Sequence, residues 1–216
     1  MNQTLTDQER IRLDQRIAEA EKRTGAQIVL AVIERSDSYA ELPWKAFALG
    51  ASIAGLLVSL SALIKPEWTT PATVLTAVVV TLAIGGAAAL LCIFVPSFAR
   101  LFLHAHRAEL EVQEHAKSLF LSHELFATHK RTGLLLLVSL FERQVVVLPD
   151  RGLSKRLSKD EMQRTIAQMT PILASGEVVL ALEHGLRNLE EILLVSAPGR
   201  SSENELPDVV IEEKGL

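Results

Sequence analysis

The sequence predicts an α/β fold, a small mixed sheet with helices on its faces, interrupted by a two-helix transmembrane hairpin. Three observations carry this expectation. Ala46 to Phe98 holds no charge apart from Lys65-Pro66-Glu67. Two short, almost wholly apolar runs, Ala26–Ile33 and Leu134–Leu140, each follow a helical pattern and an Arg-Thr-Gly tripeptide. Capping boxes at Thr6-Asp7-Gln8-Glu9 and Ser158-Lys159-Asp160-Glu161 mark helix starts on both sides of the uncharged stretch.

Within the first capping box, Thr6 accepts from the amide of Glu9, whose carboxylate reaches back to Thr6. Ile11, Leu13, Ile17, Ala18 and Ala20 then fall on one side of a helix through about Lys22. Gly25 suits the turn that ends it. The run Ala26–Ile33 has strand length and near-continuous apolarity, which suggests cover on both faces.

The two spans are expected over about 42–64 and 70–95. Ala46–Ile64 of the first carries no charge, and about 20 apolar residues are enough to cross a bilayer core. Pro43 and Pro71 sit in first turns, where a missing N–H costs nothing. Ala51 with Gly55, and Gly85 with Ala89, are small pairs that let helix backbones approach closely. Trp44 and Trp68 lie near opposite ends of the first span, as interfacial tryptophans do. Arg35, Lys45, Arg100 and Arg107 flank the hairpin, against Lys65 alone in its turn, so the flanking segments and both termini are expected in the cytoplasm. Met1-Asn2-Gln3-Thr4 lacks a basic region followed by an apolar run, so no cleavable signal peptide is expected. The one cysteine, Cys92, falls inside the second span and has no intrachain partner.

Beyond the hairpin, 100–129 reads as one long helix with an apolar stripe of Leu110, Ala116, Leu119, Phe120 and Leu125. Leu134–Leu140 and Val145–Leu148 form a β-hairpin around Glu142-Arg143-Gln144. A helix follows Ser158 to about Met169, before Pro171, and another covers about 178–194. The repeated Arg-Thr-Gly at 23–25 and 131–133 suggests an internal repeat of helix, tripeptide and buried strand. A helical crossover lets those two strands pair in parallel. The expected organisation is therefore 1–41 and 99–195 as two parts of one domain, 42–98 as the hairpin, and 196–216 as a flexible tail. The 216 residues carry a formal net charge of -4, and no electrostatic footprint for nucleic acid is seen.

These residues, in this order, resemble the TPM domain family. Leu5-Thr6, Thr24-Gly25-Ala26-Gln27-Ile28-Val29, Arg131–Leu135, Ser139–Arg143 and Val145–Leu153 carry the resemblance, with Asn204–Asp208 in the tail. The resemblance implies a small central sheet in an α/β sandwich. It implies phosphatase activity or metal binding for some members, and an accessory role in membrane complexes for others.

There is no phosphate-cradling glycine loop, no Cys-x-x-Cys, no His-Glu-x-x-His and no Gly-x-Ser-x-Gly in the sequence; the catalytic residues are unknown. With two parallel strands and a third antiparallel, Asp150 would lie near Arg131, Thr132 and Arg23, where it could hold a divalent cation or orient a phosphate. The simpler reading is a turn closed by an Asp–Arg ion pair. Glu34, Asp37 and Glu142 belong at the opposite edge, where α/β proteins often bind ligands, although solvated loop charge is the simpler account of them. Five histidines, His104, His106, His115, His123 and His129, show no i, i+4 pair, and surface placement is the expectation. The expected function is an accessory or scaffold protein of the inner membrane whose cytoplasmic domain binds a protein partner or a second copy of itself; the alternative is a metal-dependent phosphatase.

Overall fold

The computed structural model describes residues 5–64, 70–196 and 210–213. The Lys65–Trp68 turn and the 204–208 segment lie outside the described residues. The chain divides into an α/β unit, 1–37 with 108–216, and a hairpin unit, 38–107.

In the α/β unit, α1 (Asp7–Thr24) leads into β1 (Gln27–Ile33). After the hairpin come α5 (Ala105–Ser122), a 3-10 turn (Leu125–Ala127), β2 (Gly133–Ser139), β3 (Gln144–Pro149), α6 (Lys159–Ala174), α7 (Val178–Ser196) and β4 (Ile211–Glu213). The sheet order is β3-β2-β1-β4. β1 runs parallel to β2, with Gln27 opposite Gly133 and Ile33 opposite Ser139, and parallel to β4. β3 is antiparallel to β2.

Period-two alternation sorts the strand residues into two cores. Ile28, Leu30 and Val32 of β1, with Leu134, Leu136 and Val138 of β2, join Leu13 and Ile17 of α1, Met169 of α6, and Leu182, Leu186 and Leu189 of α7. Val29, Ala31 and Ile33, with Leu135 and Leu137, join Val112, Ala116 and Leu119 of α5 and Leu125. Three helices thus cover one face and one covers the other, so every residue of β1 and β2 is buried.

Both capping boxes form. The Thr6 amide donates to Glu9 at 2.8 Å, and the Ser158 hydroxyl and amide donate to Glu161 at 2.6 and 2.9 Å. The α1–α7 contact carries buried charge. Glu190 is 3% exposed and takes Arg23 at 2.6 Å and Arg16 at 3.2 Å. Arg156 donates to the carbonyls of Thr24 at 3.3 Å and Leu193 at 2.7 Å, tying the last turns of both helices. Burial pulls its pKa below the ordinary arginine value, and those carbonyls offer it the negative end of two helix dipoles.

Several expectations change. The helix read over 100–129 is really a 3-10 turn, Arg100–Phe102, then α5, then the turn at Leu125. Leu103 is extended and Glu124 is left-handed, with φ 51°. Neither position holds glycine or proline. Leu110 and Ile11, assigned to apolar stripes, are exposed, and Ala108 and Val112 face inward instead. Pro171 lies inside α6, which continues to Ala174 and buries Leu173.

The Arg-Thr-Gly repeat is not a structural repeat. Gln27 pairs with Gly133, so the strands are offset by two residues against the tripeptides. Gly25 aligns with Arg131, and both are left-handed, with φ 69° and 56°. Gly133 is instead the first residue of its strand, where an added Cβ would sit 2.2 Å from the Leu125 carbonyl oxygen. Finally, Ile211–Glu213, expected within a flexible tail, is a strand of the sheet.

In the hairpin unit, α2 (Glu41–Ile64) and α3 (Pro71–Phe94) are both long and apolar enough to cross a membrane. A short helix, α4 (Pro96–Ala99), follows. Val95 leaves the α region ahead of Pro96, as residues before proline do. Close packing occurs where Gly85 meets Ala51 and the Phe47 ring, and where Gly50 meets Ala88. Gly55, expected in this seam, has open space around it.

The Thr6 amide and hydroxyl hold the Glu9 carboxyl below its ordinary range, and the Ser158 hydroxyl and amide do the same for Glu161. A lowered folded-state value stabilises fully above the ordinary glutamate value of 4.5, and the contribution fades as pH falls through the lower value. Glu161→Gln should therefore lower the thermal midpoint at neutral pH and flatten its fall in acid. Thermal unfolding followed by circular dichroism between about pH 7 and pH 3 reads this directly; a variant with the parent's acid limb would contradict it.

Candidate functional site

The two ends of the sheet hold the polar groups that the sequence singles out. At the start of β2 and the end of β3, Asp150 is 5% exposed. Its Oδ2 lies 2.9 Å from Arg131 Nε, and its Oδ1 accepts the Arg151 amide at 2.7 Å. Its own amide donates to the Gly133 carbonyl at 2.8 Å. The Arg131 guanidinium stands 5.9 Å from the centre of the Phe126 ring. Gly152 donates to the Arg131 carbonyl at 2.8 Å, so close that an added Cβ would lie 2.4 Å from the Lys130 carbonyl oxygen. Left-handed Arg131 costs about 1–2 kcal/mol of backbone strain, and the ion pair and the Gly152 bond hold it there.

This arrangement unites Asp150 with Arg131, as expected, but not with Arg23, which belongs to Glu190. A divalent cation such as calcium takes six or more oxygen ligands. Asp150 offers a single carboxylate with a guanidinium already on it, and a second cation there would be repelled. Among the described residues, no three His, Cys, Asp or Glu side chains come together in a way that could hold a metal. The Asp150 corner does not fit a metal ion. It fits a closed ion pair that fastens the β3 exit to the β2 entry.

The opposite end is more densely bonded. Glu142, in the turn between β2 and β3, is 8% exposed. Its Oε1 accepts the Ser36 amide at 2.9 Å and the Ser36 hydroxyl at 2.6 Å. Its Oε2 accepts the Ser139 hydroxyl. The Phe141 amide donates to the Glu34 carbonyl at 2.9 Å, and the Arg35 guanidinium lies 4.2 Å from the Phe141 ring centre. Of the three acids expected at this edge, Glu142 is buried and accepts both serine hydroxyls. Glu34 enters through its backbone.

Sequence reasoning missed Ser36 and Ser139 as partners. The Ser139-x-x-Glu142 spacing was the available signal, since it lets a hydroxyl reach a carboxylate across a tight turn. Ser139 is fully buried, and its hydroxyl is spent on Glu142. The network ties the end of β1 to the β2–β3 turn. His104, His106, His123 and His129 are exposed, as expected, and His115 is partly buried against Glu213 at 3.3 Å.

The model of the TPM domain matches residues 90–192. Residues 90–192 are thus similar to a TPM domain. The matched stretch holds α5, β2, β3, α6 and most of α7, so the TPM sheet here takes its central strand, β1, from before the hairpin. No curated protein matches the chain. The NMR structure of BA42 protein, from the psychrophilic bacterium Bizionia argentinensis, is similar in fold, with a TM-score of 0.58. That likeness spans 98% of this chain and 97% of that one, at 14% identity.

Truncating Glu142 tests the network. Glu142→Ala strands two hydroxyls and an amide at the core edge, each worth about 1–3 kcal/mol when left unsatisfied. The expected loss is roughly 3 kcal/mol or more of unfolding free energy, with Glu142→Gln losing less. The urea midpoint of the variants reads it, and a midpoint within error of the parent would refute the assignment. Gly152→Ala should cost about 1–3 kcal/mol by the same measurement, through overlap with the 130–131 carbonyls.

Proposed function

We propose that this TPM-domain protein is an integral protein of the inner membrane, anchored by its hairpin, whose α/β unit lies in the cytoplasm and binds a protein partner. The observation that supports the anchor best is exposure. In the most apolar window of each hairpin helix, only 6% and 11% of residues are buried within the fold. A core helix of a water-soluble protein would be mostly covered. Here Ile53, Leu56, Leu57, Val78, Val79 and Leu82 all face outward, and a bilayer is the solvent that removes them from water.

The orientation rests on cation count. Lys45, Arg100 and Arg107 lie at the open end of the hairpin, and the excess of Lys and Arg stays on the cytoplasmic side. Partner binding rests on the polar inventory. The buried carboxylates Glu142, Asp150 and Glu190 are each engaged by donors from the fold, which suits a structural platform better than a catalytic pocket.

Membrane insertion predicts that the chain pellets with membranes and resists alkaline carbonate. Ile53→Arg places a charge near the middle of α2, costing about 2.5–3.5 kcal/mol of insertion free energy, and should reduce the inserted fraction. A Cys92→Ala background with Glu67→Cys should react with a membrane-impermeant maleimide added outside spheroplasts, whereas Ser201→Cys should not. Recovery of the parent chain in the carbonate supernatant, or the reverse labelling pattern, would overturn the anchor or its orientation. Affinity capture from detergent with no reproducible partner would count against the platform.

A further inference from the structure

We infer that the free edge of β1 is a peptide-binding slot for an extended acidic segment, and that residues 210–213 of this chain occupy it as a self-ligand. The inference rests on the partner-binding reading for its external occupant and names the chemistry of that partner.

β4 pairs with β1 over three positions, Ala31 with Ile211, Val32 with Glu212 and Ile33 with Glu213. It is the last described element, joined to α7 by residues 197–209. The slot has definite ends. At one, the Glu21 carboxylate accepts the Ile28 amide at 2.6 Å and covers the start of the edge. At the other, the Glu34 amide donates to the Glu213 carbonyl at 3.1 Å.

Between these ends, each residue of the segment meets a different chemistry. The Val210 amide donates to Asp14 at 3.2 Å, and its side chain is 2% exposed in the core beneath α1. Ile211 packs on the other face, against the cluster that holds Val112 and Ala116. Glu212 pairs with Arg10 at 3.0 Å. Glu213 lies 3.3 Å from His115. Main-chain pairing to a sheet edge supplies affinity and alternating side-chain sites supply selectivity, as in strand-addition recognition. The slot therefore reads two apolar residues followed by two acidic ones.

Such a short strand gains little from pairing alone. What keeps it seated is tethering, which acts as a local concentration in the millimolar range for short connections. An external peptide of the same chemistry must compete with that. Weakening the internal segment should open the slot.

The test uses the full chain in detergent and a fluorescein-labelled peptide with the sequence of residues 208–216, followed by fluorescence anisotropy. The peptide should bind Val210→Asp at least about tenfold more tightly than the parent chain. Adding Arg10→Glu should weaken that binding about tenfold, and a peptide with lysine in place of Glu212 should restore it. No binding to Val210→Asp with an unchanged circular dichroism spectrum would overturn the slot. So would equal binding with and without Arg10→Glu. Should Val210→Asp fail to fold, Glu212→Arg releases the segment at a partly exposed position and is judged by the same outcomes. The synthetic peptide needs no native partner. Its failure removes the slot and leaves the platform standing, whereas an empty affinity capture removes the platform and leaves peptide binding intact.

Discussion

The parallel pairing of β1 with β2 is the contact on which the α/β unit depends. Seven residues pair in register, from Gln27 with Gly133 to Ile33 with Ser139. In the chain, the hairpin and α5 lie between them. Closing so long a loop costs only slowly more entropy as its length grows, and burying two full strands outweighs it. Each buried aliphatic side chain contributes about 1.5–3 kcal/mol relative to exposure. Remove the pairing and α1 loses its sheet, α5 loses its face, and β4 has no edge to join.

Buried charge is placed to guard that pairing. Glu21 covers the first free amide of β1, Glu142 gathers the end of β1 and the β2–β3 turn, and Asp150 closes the β2 entry against the β3 exit. Glu190 holds α7 to α1 through two arginines. Each carboxylate takes donors that would otherwise be left unpaired, and each would be costly to bury without them. Acidic residues in this chain are thus fasteners of sheet ends and helix pairs. That explains why a chain with 26 acidic residues brings none together as a metal centre among the described residues.

Among the described residues, two surfaces carry chemistry that points outward. One is the apolar exterior of the hairpin, which no part of its own unit covers. The other is the β1 edge, covered by three residues of β4 and read by Arg10, Asp14 and His115. Exposed strand edges invite pairing with other chains and are normally protected. Here a short internal strand supplies that protection, and its shortness makes it replaceable.

The sequence by itself determined the class of each long element. Uncharged runs of membrane length, capping boxes at Thr6 and Ser158, and β-branched or leucine-rich strands are local signals, set by burial periodicity and backbone bonding within a few residues. The parallel pairing and the Asp150–Arg131 contact were legible too, because they follow from strand order. Tertiary structure alone decided the rest. It offset the two Arg-Thr-Gly tripeptides by two residues, broke the helix after Leu103 with no breaker in the sequence, kept Pro171 inside α6, and turned Ile211–Glu213 from tail into strand. The reason is common to all four. A register, a break or a three-residue edge strand gains its free energy from partners far along the chain, and a local pattern carries no record of where those partners will be.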